Sequence, residues 1–156
     1  MPEPFDLCVI GSGPGGYRAA ILGALRGLKV AIVERGDWGG CCLNRGCVPK
    51  KDWYHSARLI AANRHLAARG VDGELRGDMQ RAWEHQERVV AQVQDSYVDY
   101  MKRLGIHAVQ GHARFADPTR IEIRHQGQQQ TLESAHTIIA TGGVPTVPPP
   151  FHAIRD

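Results

Sequence analysis

Apolar positions open the chain in two short runs. Residues 5–10 end at Gly11 and residues 28–33 end at Glu34, and such runs bounded by glycine and polar letters predict buried strands. Between them Ala19, Ala20, Leu22, Ala24 and Leu25 suit a helix closed by Gly27. A strand, helix, strand unit returns its second strand parallel to the first through a right-handed crossover. It therefore predicts an open α/β sheet whose ligand lies at the carboxyl ends of the strands. Residues 52–68 are rich in helix formers and stop at Gly70, and residues 71–77 read as a loop. From Asp78, a good N-cap, Met79, Trp83, Val90, Val93, Tyr97, Met101 and Leu104 recur at three- and four-residue steps up to Gly105. That pattern predicts a long helix with a seam for another helix, its aromatic residues placed for packing. The period then shortens. Residues 106–110, 112–115, 120–125, 130–133 and 137–140 are β-like runs separated by Gly111, Asp117-Pro118 and Gln126-Gly127. The proline-rich stretch 144–150 predicts extended backbone of the kind that leaves a domain.

Composition narrows the classes. A chain of 156 residues with 42% hydrophobic letters is the size of one domain with a real core. Its net charge of +3 is spread without a basic block, which gives no argument for nucleic acid or an anionic membrane as partner. No apolar run approaches the roughly 20 residues needed to span a bilayer. The amino terminus, with Glu3 and Asp6 around a short apolar run, does not read as a signal peptide, so a cytoplasmic chain is expected. In that reducing compartment a tight cysteine cluster points to redox chemistry or metal before structural disulfides. Three of the four cysteines, Cys41, Cys42 and Cys47, fall within seven positions. Cys8, inside an apolar run, reads as a small buried hydrophobe.

Gly11-Ser12-Gly13-Pro14-Gly15-Gly16 fits the G-x-G-x-x-G pattern, follows the first strand and opens the first helix. Glu34 ends the next strand about 20 residues on, where an acid can accept hydrogen bonds from a ribose. Gly11 permits the tight turn, Gly13 lets a pyrophosphate approach the backbone, and Gly16 lets the helix pack on its strand. The anion rests on exposed N–H groups at the helix start. The loop does not choose between NAD and FAD, which share this fingerprint.

Cys41, Cys42 and Cys47 lack the C-x-x-C spacing of common zinc sites, and His55 falls on a predicted helix away from them. In an ideal helix the rise of about 7.5 Å between Cys42 and Cys47 would prevent a disulfide, so they can bond only where the helix is broken. Pro49 offers such a break, because it has no N–H for the carbonyl of Arg45. Asn44 and Gly46 are expected to tolerate left-handed backbone there. A helix start at this place would lower thiol pKa values.

Gly39-Gly40-x-Cys42-x-Asn44-x-Gly46-Cys47-x-Pro49-x-Lys51, preceded by the glycine loop and Glu34, resembles the flavoprotein disulfide reductases, the family of dihydrolipoamide dehydrogenase, glutathione reductase and mercuric reductase. The likeness covers essentially the whole chain, including Gly111-His112-Ala113 and Ala140-Thr141-Gly142-Gly143. It implies a Rossmann-like α/β FAD-binding domain with a small antiparallel meander. By that resemblance FAD lies on Gly11 to Gly16, its adenosine ribose on Glu34 next to Arg35, its adenine near His112 and Ala113. Gly40 and Cys41 would approach the pyrophosphate and ribityl chain, and the turn at Ala140, Thr141 and Gly142 also belongs to the cofactor site. Cys42 is implied as the interchange thiol, Cys47 as the thiol beside the flavin, and Lys51 as a charge close to the ring.

The resemblance further implies a disulfide or dithiol substrate, NAD(P) in the complete enzyme and a homodimer. Residues 1–143 would be the first FAD segment and 144–156 a linker toward a nicotinamide domain. That domain, a returning FAD segment and a dimerisation domain are family parts not found in this sequence. The chain thus reads as an amino-terminal portion, with a split or stand-alone flavin or thiol-relay module, or a non-enzymatic remnant, as the alternatives. The family usually has Thr where Cys41 stands. Val48-Pro49-Lys50-Lys51 leans toward glutathione reductase, and Gly15-Gly16-Tyr17 toward dihydrolipoamide dehydrogenase.

Overall fold

The computed structural model describes residues 3–63, 65–71 and 73–151. Its strands and α-helices are β1 (Phe5–Ile10), α1 (Pro14–Leu25), β2 (Val30–Glu34), α2 (Gly40–Asn44), α3 (Cys47–Asn63), α4 (Met79–Arg103), β3 (His107–Gln110), β4 (His112–Phe115), β5 (Arg120–His125) and β6 (Gln128–Ile139). The six strands run in the order β3-β2-β1-β6-β5-β4. Pairing is parallel from β3 through β2 and β1 to β6, and antiparallel among β6, β5 and β4. This is the Rossmann-like α/β architecture with an antiparallel meander.

Side chains alternate across a strand, so each strand of the parallel part feeds two layers. Leu7, Val9, Val30 and Ile32 face the helices and pack with Ala20 and Ile21 of α1 and Met101 of α4. Cys8, Ala31, Val33 and Val109 face the other way, onto Ile121, Ile123 and Leu132 of the meander. Ile32, Ile121 and Met101 are fully buried, each contributing about 1.5–3 kcal/mol of apolar transfer. Burial pushes the Cys8 thiol up to about 11, which keeps it protonated and inert at neutral pH.

Several elements differ from the sequence expectation. The last two β-like runs are one strand, β6, whose first half pairs with β5 and whose second half pairs with β1. The polar break between the runs is absorbed: Ser134 is buried, its hydroxyl donating to the carbonyl of His136 at 2.7 Å and its N–H to the carbonyl of Thr119 at 2.9 Å. α3 begins at Cys47, not at residue 52, and ends at Asn63, with a 3-10 turn at Ala67–Arg69. Pro49 therefore lies in a first turn, where its missing N–H has no helical partner to lose. Asp78 caps α4 as the sequence suggests, accepting from the N–H of Arg81 at 3.0 Å. The α4 seam is sealed unevenly, for Gln86 and Met101 are buried while Met79 and Trp83 stay exposed. The stretch 144–148 has no regular structure and Pro149–Phe151 form a 3-10 turn; residues 152–156 of the expected linker lie outside the described residues.

Candidate functional site

The carboxyl ends of β1 and β2 open onto a groove of about 830 Å³. Gly11, Gly13, Pro14, Gly15, Glu34, Arg35, Gly40, Cys41, His112, Ala113, Ala140, Thr141 and Gly142 line it, so the structure gathers these candidate residues on one surface. Ser12 and Gly16 are buried beneath the loop. Cys42, Cys47 and Lys51 are not on the lining; the two thiols sit at the junction of α2 and α3, and Lys51 is exposed on α3.

Local geometry explains the loop. Gly11 takes φ +102 and donates its N–H to the carbonyl of Val33 at 2.8 Å, while a Cβ there would lie 2.3 Å from the carbonyl oxygen of Ala140. At Gly16 a Cβ would lie 1.8 Å from the carbonyl oxygen of Gly11, so no side chain fits between loop and helix. Gly15 faces open space, and α1 has neither a side-chain cap nor an acid in its first turn. Its first-turn amides are unpaired within the helix, and they form the positive end that an anion needs.

Ser12 has a role beyond filling the pattern. Its N–H and hydroxyl both donate to Glu34 Oε2, at 2.8 and 2.7 Å, and its Oγ accepts the N–H of Gly39 at 3.0 Å. Glu34 Oε1 accepts the N–H of Gly36 at 2.9 Å. Burial raises the Glu34 pKa, but the bonds from Gly36, Ser12 and Arg35 outweigh it and hold the carboxyl below its usual range. The acid is thus ionised and fixed at the mouth of the groove. The cysteine loop closes onto this assembly through Gly40, whose φ is +62 and whose Cβ would be 2.6 Å from Gly13 Cα.

Cys42 and Cys47 lie on either side of the break between α2 and α3, near enough for one to act on the other's protonation, and Arg45 leaves helical geometry there at φ −136, ψ −10. All described cysteines are free thiols, with Cys41 and Cys47 exposed and Cys42 partly buried. A side-chain hydrogen bond to Cys47 pushes the Cys42 thiol up, aided by burial and the charges of Cys47 and Cys41, against the backbone N–H of Cys47. The expected lowering at a helix start is overturned for Cys42, because a five-residue helix offers a weak dipole and the adjacent sulfur is the stronger influence. The expectation of left-handed backbone also fails: among the described non-glycine residues only Gln126 has positive φ, and Gly46 is absent from the positive-φ glycines. At Gly46 the space is tight instead, since a Cβ there would lie 3.3 Å from the carbonyl oxygen of Cys41. Asn44 acts through its side chain, donating to the carbonyls of Asp37, Trp38 and Gly40 at 3.4, 3.1 and 2.9 Å. Gly36, Asp37, Asn44, Arg45 and Gly111 also line the groove, and the sequence reading did not assign them to it. Only the folded loop brings them there.

The glycine loop, the fixed acid of Glu34 and the loop that bears the thiol pair thus border one groove. The chain belongs to the pyridine nucleotide-disulphide oxidoreductase family, whose model matches residues 5–154. It is 38% identical over 149 residues to dihydrolipoyl dehydrogenase 2 of Haloarcula marismortui, covering 94% of this chain and 32% of that protein. It is 36% identical over 152 residues to dihydrolipoyl dehydrogenase of Staphylococcus aureus, covering 97% of this chain and 32% of that protein. The chain thus spans about a third of the length of these curated relatives. Among solved structures, the Cu(II) complex of the HOCl-induced flavoprotein disulfide reductase RclA from Escherichia coli shares the fold, with a TM-score of 0.77, 23% identity, and coverage of 94% of this chain and 30% of that one. No helix among the described residues is long and apolar enough to cross a membrane.

Proposed function

We propose that this chain is the FAD-binding, thiol-bearing portion of an NAD(P)-linked disulfide oxidoreductase of the dihydrolipoyl dehydrogenase kind. The observation that carries the reading is the pair of free thiols, Cys42 on α2 and Cys47 at the start of α3, brought near each other on the loop that walls the groove at the start of α1. The residues present fit FAD: the first turn of α1 offers free amides, no Cβ fills the space at Gly15, and Glu34 is ionised at the ribose end. When bound, FAD would supply a two-electron carrier between nicotinamide and thiols.

The chain's own residues perform the rest. The amides of α1 hold the diphosphate, and Glu34 accepts ribose hydroxyls with the lone pairs that Ser12 and Gly36 leave. Arg35, His112 and Ala113 flank the adenosine end, while Gly40 and Cys41 approach the ribityl chain and Ala140, Thr141 and Gly142 close the far wall. With the pair oxidised, a substrate dithiol attacks Cys42, forming a mixed disulfide and releasing Cys47 as thiolate; the second substrate thiolate then displaces Cys42, leaving substrate disulfide and two reduced cysteines. Cys42 departs as the thiolate and then takes up a proton, which its raised pKa favours, and Cys47 remains as the sulfur toward the flavin with Lys51 as the cation assigned beside it. The nicotinamide site and the contacts of a homodimer belong, in this reading, to the two thirds of the relatives' length that this chain does not span, and the assembly works in the cytoplasm.

Mixing the purified chain with FAD tests the cradle, and bound yellow flavin is the expected result. On reduction a long-wavelength absorbance band should appear, persist in Cys42→Ser and vanish in Cys47→Ser. The reverse pattern overturns the thiol assignment, and a chain that takes up no FAD overturns the cradle.

A further inference from the structure

Between the two thiols the backbone leaves the helix at Arg45, and the residue that ends α2 just before the break is Asn44. Its Nδ2 is committed to the carbonyls of Asp37, Trp38 and Gly40. That commitment fixes the orientation of the amide, so Oδ1 must point the other way and needs a donor. The donor is Nε2 of Gln94, fifty positions along the chain on α4. Gln94 is itself held by the next two turns of α4. Tyr97 stacks on Tyr17 of α1 with ring centroids 3.9 Å apart, Val98 packs on the core, and Met101 is fully buried beneath the sheet.

We propose that Gln94 is a positioning residue for the Cys42 and Cys47 pair, acting through Asn44. The inference rests on reading those thiols as an exchanging pair. Core packing fixes α4, Gln94 fixes Asn44, and Asn44 fixes α2 with Cys42 relative to Cys47 at the start of α3. Losing the Gln94 donor leaves a part-buried acceptor unpaired and frees α2 to shift, which lowers the effective concentration of one thiol at the other. The disulfide then becomes easier to reduce. Gln94 does not carry α4 by itself, because Trp83 against Trp53 and His85 against Asp52 tie α4 to α3 further along.

The test is the equilibrium of the Cys42–Cys47 disulfide with a glutathione redox buffer in the full chain, in a Cys41→Ser background so that only one accessible pair can close. Oxidised and reduced fractions are read by alkylation and mass. Gln94→Leu and Gln94→Glu should each lower the equilibrium constant for disulfide formation about tenfold, which is about 30 mV for a two-electron couple. Gln94→Lys, which keeps a donor of similar reach, should stay near the parent, with urea midpoints of the Leu and Lys variants alike. Asn44→Ala combined with Gln94→Glu should be no worse than Asn44→Ala alone, and this arm decides the matter with the single Glu and Lys variants if Gln94→Leu fails to fold. Equal constants in all Gln94 variants, a parallel fall in Leu and Lys, or additive effects in the double variant overturn the proposal. A parent that forms no Cys42–Cys47 disulfide removes instead the reading on which it rests.

Discussion

The glycine loop at 11–16 and the cysteine loop at 39–47 face each other over one groove, yet they are held in opposite ways. The first is fixed chiefly by backbone packed where a Cβ would stand, Gly16 under Gly11 and Gly11 under Ala140, with Ser12 tied to Glu34. The second is fixed by the side chains it recruits, with Asn44 gathering three carbonyls and Gln94 reaching across from α4. Behind the first stands a sheet buried on both faces; behind the second stand α3 and α4, with Tyr54, Leu59 and Met79 exposed. Under the proposed function the glycine loop must hold still, whereas the thiol pair must open and close. The difference suits both demands, since steric exclusion is all-or-none while a few hydrogen bonds permit small shifts.

The sharpest way to break the contrast is Gly16→Ala, whose Cβ would meet the Gly11 carbonyl at 1.8 Å. Overpacking against backbone should cost more than about 3 kcal/mol and remove FAD binding, read from urea midpoints and flavin fluorescence; a variant that binds FAD like the parent would show the loop to be pliable. Glu34→Gln comes next. It should destabilise by about 1–3 kcal/mol at neutral pH, because it removes a charged acceptor of the Ser12 and Gly36 N–H groups. The folded carboxyl titrates below its unfolded value, so this stability is present above the unfolded pKa and is lost as pH falls through the lower folded one. The gap between parent and Glu34→Gln should therefore narrow in acid, and a constant gap across that window would mean that the carboxylate charge is not what Ser12 recognises. On the cysteine side, Cys47→Ala removes the bond that holds the Cys42 proton, so iodoacetamide should label Cys42 severalfold faster at neutral pH and its rate–pH midpoint should move down. An unchanged midpoint would contradict the thiol contact. The smallest effect is expected for Trp83→Ala, below about 1 kcal/mol, because its tilted contact with Trp53 at 5.5 Å is half-exposed. A large loss there would place α3 and α4 in the rigid class with the sheet.

Legibility in the sequence divides along the same line. The geometry of the glycine loop was legible because Gly11, Gly13, Gly16 and Glu34 lie within one strand, helix, strand unit, so linear spacing carries it. The faces of β1 and β2 were readable from their apolar runs for the same reason. The unity of β6 was not, because Ser134 and His136 look like a break until the buried Ser134 hydroxyl finds the His136 carbonyl. The start of α3 at Cys47 was hidden by Pro49, whose tolerance depends on its place in the first turn. The Asn44 and Gln94 bond was beyond reach, since no local pattern links residues fifty positions apart. Cys42 was read for its helix and is governed by its neighbour.

The single β6 strand has a mechanical meaning. Because its first half is laced to the meander and its second half to β1, tension entering through the chain after Ile139 is borne along the strand axis, loading both ladders in shear rather than peeling them bond by bond. Pulled from that side, the meander and the nucleotide sheet should yield together in one rupture, not in two.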